Sequence, residues 1–261
     1  VKIATWNINS VRMRIKYLRE FLIETNPDIV LLQEIKCETD KFPVNELSDL
    51  PYNIYVHGQK SYNGVAILSK FPADEIVKYF PEIDCTDQSR IIEISLQTPI
   101  GYCNIISLYA PNGSLVNSDK FKMKLDFYDQ LTDYLKLKKS LNREKLVIIA
   151  GDFNIAPFDI DVYSAKELQN STCFTKEERQ KFRIILNTGF DDLYRLANPD
   201  KQEFSWWDYR AGSFEQNKGM RIDMILASSN VTNRLNNCNM SLNWRAKEKA
   251  SDHIPVIAEF F

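Results

Sequence analysis

Several kinds of residue are scarce in this 261-residue sequence, and each scarcity excludes something. Histidine occurs only as His57 and His253, too few for a zinc site built on imidazoles. The five cysteines, Cys37, Cys85, Cys103, Cys173 and Cys238, are odd in number and scattered, with no C-x-x-C pair. That pattern argues against a disulfide framework and a zinc ribbon, and it fits a reducing compartment. Only eight glycines are present, and no Walker loop, Rossmann glycine pattern or G-x-S-x-G elbow can be found. Positive charge is not in surplus: 33 Lys and Arg stand against 35 Asp and Glu, for a formal charge of -2. A polyanionic partner would have to be met by a local patch. No apolar run approaches the roughly 20 residues of a membrane helix, and the opening "VKIATWNIN" reads as a strand instead of a secretory leader. The expectation is a soluble, untargeted, cytoplasmic protein that meets no membrane.

What is abundant is apolar residues, 44% of the chain, enough for a sizeable core. No low-complexity linker or short repeat interrupts them, so one domain over 1–261 is expected. "SVRMRIKYLREFLIETNP" places Val11, Ile15, Leu18 and Leu22 on one helical face, with Ser10 as N-cap and Pro27 as the stop. Its other face carries Arg12, Arg14, Lys16 and Arg19, either a solvated surface or a phosphate-facing edge. "DIVLLQE", "GVAILSK", "RIIEISLQ", "YCNIISLY", "LVIIAGD", "RIDMILAS" and "HIPVIAEFF" read as strands, with a loop around 81–87. Phe121, Leu125, Tyr128, Leu131 and Leu135 mark a long amphipathic helix, and another lies near "TKEERQKFRIILNTGF". Strands this numerous predict an α/β fold, a layered sandwich with mixed sheets.

Polar residues recur where these strands end: Asn7, Glu34, Tyr109, Asp152 with Asn154, and Asp252 with His253. One of them alone is an ordinary turn residue. Together, if the strand ends share one edge, they bring carboxylates and amides into a single cleft, where like charges are costly unless a cation neutralises them. Glu34, Asp152, Asp223, Asp252, Asn7 and Asn154 are hard oxygen donors, which favours Mg²⁺, with Mn²⁺ as a substitute. A hard cation beside an Asp-x-Asn and an Asp-His pair suits phosphate ester cleavage without a covalent intermediate.

The blocks "WNINSVR", "LLQEIK", "YNGVAILSK", "LYAPNG", "GDFNIAP", "DIDVY", "FSWWDYR", "RIDMIL" and "SDHIPV" stand in the order and at about the spacing of one family. Through them the chain resembles the exonuclease III family of class II abasic-site endonucleases over essentially its whole length. The resemblance implies a four-layered α/β sandwich of two packed mixed sheets flanked by helices. It also implies metal-dependent hydrolysis of duplex DNA 5′ of abasic sites, with 3′-phosphodiesterase and 3′-to-5′ exonuclease activity, in a monomer that is nucleoid-associated if the source is bacterial.

By the same resemblance Glu34 binds the metal, Asn7 supports metal and phosphate, and Asp252 lies beside the metal. Asp152 activates water with Asn154 holding it; His253, held by Asp223, contacts the scissile phosphate; Tyr109 and Asn112 complete the phosphate cage. Tyr109 also favours this branch over the DNase I-like and inositol-phosphatase branches, where histidine usually stands. Trp206 and Met220 are assigned to the pocket for the baseless sugar, and Trp207 to packing. Arg12, Arg14, Lys60, Arg90, Arg210, Lys218 and Arg221 are candidate DNA contacts. "KLKKSLNREK" is read as a solvated connector after a helix, and His57 as a loop histidine. Two departures from the family pattern are Ser10, where many members have glycine, and "SAKELQNSTCF", which is left without a role. A superfamily phosphatase acting on inositol phosphates and a catalytically silent binding relative are the competing readings.

Overall fold

In the computed structural model, which describes residues 1–83, 88–141 and 146–261, twelve strands and six helices follow one another along the chain. They are β1 (Lys2–Asn7), α1 (Val11–Thr25), β2 (Ile29–Gln33), β3 (Asn53–His57), β4 (Val65–Ser69), β5 (Glu75–Val77), β6 (Ile91–Thr98), β7 (Gly101–Tyr109), α2 (Asp119–Leu141) and β8 (Leu146–Asp152). Then come α3 (Ala165–Leu168), α4 (Lys176–Asn187), β9 (Phe190–Asp192), α5 (Leu193–Ala197), β10 (Asp223–Ser228), α6 (Ser229–Thr232), β11 (Leu235–Met240) and β12 (Val256–Phe260). The strands form two six-stranded sheets, in the orders β11-β12-β1-β2-β4-β3 and β5-β6-β7-β8-β10-β9. Each sheet is mixed: β1 runs parallel to β2 and β7 parallel to β8, while the other neighbours are antiparallel.

Alternation along the central strands produces the layers. Ile3, Ile29, Leu31, Val65 and Ile67 of the first sheet meet Ile94, Ile105, Ile148, Ala150 and Ile225 of the second in the central core. Their neighbours in sequence, Ala4, Trp6, Val30, Leu32 and Ala66, turn outward beneath Val11, Leu18, Phe21 and Leu22 of α1. On the far side Ile106, Leu108, Val147, Ile149 and Met224 are covered by Tyr128, Leu131 and Leu135 of α2 and by Phe182 and Ile185 of α4. Both faces of the central strands are therefore buried, which is why they read as continuous apolar runs. The result is the helix–sheet–sheet–helix sandwich that the sequence predicts. A polar bridge crosses its core just below the strand ends: Thr5 donates to Gln33, whose amide donates to Ser107 at 3.2 Å.

Local readings need correction in several places. Ser10 occupies the N-cap position of α1 without a side-chain cap, at φ 83 and ψ 99. That is a conformation glycine adopts easily, so the departure from the family's glycine costs local strain. Arg14 is not on the exposed face of α1, because the helix kinks there and carries the side chain inward. Ile15 and Leu125 are only partly buried; Phe21 and Phe127 take larger shares of their helix interfaces. Lys136 to Leu141 belong to the last turns of α2 and are not a connector, and the rest of "KLKKSLNREK" up to residue 145 lies outside the described residues. The same holds for Cys85 and most of the loop expected at 81–87. His57 is the last residue of β3 rather than a loop residue; its ring lies 2.9 Å from the Ile91 carbonyl, and burial lowers its pKa.

Candidate active site

β1, β2, β7, β8 and β10 place Asn7, Glu34, Tyr109, Asp152 and Asp223 at or just beyond their ends, around one cleft. Asp152 sits beside Tyr109 in the parallel ladder and opposite Asp223 in the antiparallel one. The preceding Gly151 is required by this pairing, since a Cβ there would lie 1.9 Å from the Leu108 carbonyl oxygen. After Asp152 the chain turns sharply: Asn154 adopts the left-handed conformation (φ 50), and its N–H donates to Asp152 Oδ1 at 2.9 Å. This is the job of the Asp-x-Asn pair at the strand mouth, a turn in which the first side chain caps the backbone of the third residue. Glu34 leaves β2 in the same left-handed region, at φ 49.

Hydrogen bonds then fix each polar group. The Asn7 amide nitrogen bridges Glu34 Oε1 and Asp152 Oδ2, at 2.9 Å to each. Lys36 Nζ lies 2.8 Å from Glu34 Oε2. His253 Nδ1 lies 2.8 Å from Asp223 Oδ2, which also accepts from Ser205 Oγ at 2.6 Å. This leaves Nε2 facing the cleft, 3.8 Å from Asp152 Oδ2. Asn154 is held on both sides of its amide, donating to the Ala110 carbonyl at 3.0 Å and accepting from Asn112 Nδ2 at 3.0 Å.

The cleft, about 340 Å³, is lined by Glu34, Tyr109, Asn112, Asp152, Asn154, Thr172, Cys173, Trp206, Met220, Ile222, Asp252 and His253. Most of the residues singled out in the sequence therefore share one space. Trp206 and Met220 form its apolar wall, joined by backbone hydrogen bonds, while Trp207 is packed in the interior.

Charge is out of balance here. Burial opposes ionisation of Asp152, and Asp223 and Glu34 add like charge, so its pKa is pushed up to about 7 despite His253. For His253 burial works against the proton, but Asp223, Asp152 and Asp252 outweigh it and raise its pKa to about 10. Burial also opposes the charge on Glu34, yet Lys36 and the Asn7 amide hold its pKa below the usual value. Tyr109 is raised well above its ordinary value by burial and by Glu34 and Asp152, so its phenol keeps its proton.

Among the described residues, Glu34, Asp152 and His253 are the one group whose ligand atoms lie within 4.8 Å of one another, as a metal site requires. Asp223 Oδ1 is a buried carboxylate oxygen with no hydrogen-bond partner among the described residues. The partly buried Glu34 carboxylate beside the buried Asp152, whose ionisation burial and like charge oppose, is a donor set that fits a hard divalent cation. Asp252 lies at the rim of this group, with both oxygens engaged, by Asn9 Nδ2 at 2.8 Å and Trp206 Nε1 at 3.0 Å.

The basic residues divide. Arg12, Lys60, Arg210 and Lys218 are exposed, although Arg210 is paired with Asp208. Arg90 is partly buried, stacked 5.0 Å from the Tyr109 ring and donating to its carbonyl, so it braces the phenol. Arg221 does not face the cleft: it is 0% exposed, with Nε 2.7 Å from Asp161 and Nη2 2.7 Å from Asp192. Arg14 likewise spends its donors inside, on the carbonyls of Asn9, Lys249 and Ala250 and on the Tyr209 hydroxyl. Charge in a motif loop marks a candidate contact in sequence but says nothing about which way it points.

Several contributors were missed, among them Lys36 beside Glu34, Ser205 on Asp223 and Ile222 in the cleft wall. Thr172 and Cys173 of the unassigned segment line the cleft, and Asn9 joins Lys36 to Asp252. Asn9 stands inside the quoted block "WNINSVR", and its spacing from Asn7 was the available signal. No periodicity marks 172–173.

The chain matches the endonuclease/exonuclease/phosphatase family over residues 4–253. It is 37% identical to exodeoxyribonuclease III of Haemophilus influenzae, with 100% of both chains covered. Among solved structures it is similar to the 3′ phosphatase NExo from Neisseria bound to a product DNA hairpin (TM-score 0.94, 35% identity, 100% of this chain and 99% of that one). A further likeness is to an AP endonuclease from Archaeoglobus fulgidus (TM-score 0.93, 34% identity, 100% and 99% covered). By sequence over its full length and by the fold of both sheets, the protein belongs to the endonuclease/exonuclease/phosphatase family, in its exodeoxyribonuclease III branch.

Proposed function

We propose that the protein is a divalent-metal-dependent DNA repair nuclease that hydrolyses the phosphodiester 5′ of abasic sites in duplex DNA, with 3′-phosphodiesterase activity on blocked 3′ ends and 3′-to-5′ exonuclease activity. The observation that carries this reading is the cleft itself. A carboxylate pushed to about neutral pKa, an imidazole held by a second carboxylate and a neutral phenol face one another beside an apolar Trp206–Met220 wall. Support for DNA as substrate comes from relatives named exodeoxyribonuclease III, AP endonuclease and 3′ phosphatase.

Asp152 is the group that takes the proton of the attacking water, and a pKa near working pH suits a general base. Asn154 and Asn7 keep its carboxylate in one orientation, so the water is aimed rather than merely activated. His253, protonated through its bond to Asp223, presents Nε2–H to a non-bridging phosphate oxygen and stabilises the charge that develops there. The Tyr109 phenol and the Asn112 amide face the same phosphate. A protonated imidazole is not a metal ligand, so Glu34 would hold the cation beside Asp152, which stays free to act as the base, with Asp252 available only if it gives up one of its present bonds. Bound there, Mg²⁺ or Mn²⁺ supplies neutralisation of phosphate charge and polarisation of the ester. Trp206 and Met220 receive the baseless sugar, a small apolar surface that a stacked nucleotide cannot match without unstacking. A DNA substrate fits a cytoplasmic site of action, at the nucleoid if the source is bacterial.

The test is cleavage of a duplex oligonucleotide carrying one abasic-site analogue, beside an undamaged duplex and a nick ending in 3′-phosphate, each with Mg²⁺ and with EDTA. A Mg²⁺-dependent cut 5′ of the lesion is expected. Release of phosphate from the nick with the abasic strand intact would restrict the enzyme to 3′ ends. Folded protein inactive on all three would end the nuclease reading.

A further inference from the structure

Lys124 lies in the second turn of α2, on the stripe that otherwise carries Phe121, Tyr128, Leu131 and Leu135, and it is 0% exposed. An ammonium has three donors, and here all three are directed at acceptors. Nζ donates to the Asn154 carbonyl at 2.6 Å, to the Asn112 carbonyl at 3.0 Å and to the carboxylate of Glu178, which is also 0% exposed. Glu178 in turn accepts the Cys173 N–H at 3.0 Å and the Thr175 N–H at 2.9 Å, closing the capping box that starts α4.

The partners are not arbitrary. Asn112, Asn154 and Cys173 stand on three separate loops, after β7, after β8 and before α4, and side chains from all three line the cleft. Burying an ion pair is a poor way to gain stability, since an apolar pair of the same volume often does as well or better. Stability alone therefore gives weak reason for this arrangement, whereas an ammonium can grip two carbonyls that an apolar side chain cannot. The carbonyls belong to the residues whose amides are bonded to each other, Asn112 Nδ2 to Asn154 Oδ1.

We propose that Lys124 and Glu178 are positioning residues for the phosphodiester hydrolysis: a buried clamp that locks the Asn112, Asn154 and Cys173 loops in one register. It rests on the nuclease reading above. Neither residue touches substrate. Their action is to hold Asn154, and through it the Asp152 carboxylate and the Asn112 amide, against the cleft when the phosphate is attacked. Lost register of this kind reduces the rate of the bonded complex more than its formation.

Removing Lys124 alone leaves a buried, unpaired carboxylate and invites unfolding, so the test is the double variant Lys124→Met/Glu178→Gln with Lys124→Gln/Glu178→Gln beside it. Each is assayed with wild-type protein for thermal melting, duplex binding in EDTA, and kcat and KM on the abasic duplex and the 3′-phosphate nick with Mg²⁺. The expected result is a folded variant whose kcat falls by at least ~10-fold while KM and duplex affinity stay within about threefold of wild type. A folded variant with wild-type kcat, or one whose loss is all in KM, overturns the clamp. So does failure of both variants to fold, which would make the pair a structural prop. Wild-type protein inactive on both substrates would instead overturn the nuclease reading, and this proposal with it.

Discussion

Two buried clusters of charge lie on either side of β10, and they are built on opposite principles. In one, Asp161 and Asp192 face Arg221 and Arg195 at 2.6 to 2.7 Å, two carboxylates against two guanidinium groups. In the other, Glu34, Asp152, Asp223 and Asp252 face only Lys36 and His253, and one Asp223 oxygen has no partner among the described residues. The balanced cluster is matched in charge, although Arg195 Nε and Arg221 Nη1 have no hydrogen-bond partner among the described residues. The deficient one is held in like-charge opposition by rigid strand ends and meets its demand for positive charge only with a cation or a substrate proton. Chemistry is to be sought where the protein leaves its electrostatics unfinished.

Removing one carboxylate from each cluster breaks the comparison most sharply. Asp152→Asn is expected to lower kcat by at least ~10²-fold, the scale for loss of a general base. It should leave metal-free stability unchanged or higher, because it relieves repulsion with Asp223 and Glu34. Turnover within a few-fold of wild type would remove Asp152 from that role. Arg221→Met attacks the balanced cluster and should do the reverse. Stranding Asp192, with Asp161 left to Arg195 alone, is expected to cost about 3–5 kcal/mol in urea unfolding, with kcat per folded molecule little changed. A large loss of kcat without loss of stability would return Arg221 to the active site.

Acidity sharpens the same contrast at a smaller scale. The Asp152 pKa rises from an ordinary carboxylate value in the unfolded chain to about 7 in the folded one. Its contribution to stability is thus present below about pH 4 and lost as pH rises through 7. The proton on His253 contributes fully below its unfolded pKa of about 6.5 and is lost as pH rises through about 10. Metal-free protein should therefore melt at progressively lower temperature from mildly acidic to alkaline pH. Because a cation competes with the Asp152 proton, the gain in melting temperature on adding Mg²⁺ should be larger at about pH 8 than at about pH 6. An equal gain at both would mean that the cation binds away from Asp152.

The sequence made the deficient cluster visible and left the balanced one hidden, for a physical reason. Strand ends advertise themselves, because an apolar run that stops in Asn7, Glu34 or Asp152 breaks a pattern, and the layered fold follows from the same runs. A buried ion pair does not break a pattern in the same way. Asp161 and Arg221 each sit in a motif block, but their pairing across 60 residues is tertiary. Lys124, three residues after Phe121 and four before Tyr128 on an otherwise apolar stripe, does break a pattern, and that signal was passed over. The kink that turns Arg14 inward is not marked in the sequence: no proline or glycine interrupts α1, and three of the five partners that hold the side chain, Tyr209, Lys249 and Ala250, are about 200 residues away or more.

That kink sets the finest test. Arg12 and Arg14 look equivalent in sequence, two positive charges on one helical turn, and both are candidates for phosphate contact. Arg12 points to solvent, whereas Arg14 is used up on carbonyls that hold the 249–250 segment two residues before Asp252 and His253. Arg12→Ala should therefore weaken duplex binding and flatten the slope of log affinity against log salt by about 0.9, the value for one phosphate contact, with no change in melting temperature. Arg14→Ala should leave that slope alone and lower stability instead, since several buried carbonyls lose their donors at once. Equal effects on the salt slope would mean that both guanidinium groups reach DNA, and that the inward Arg14 is released when the duplex binds. No effect from either would assign the whole face of α1 to solvent and move the DNA surface to Lys60 and Lys218.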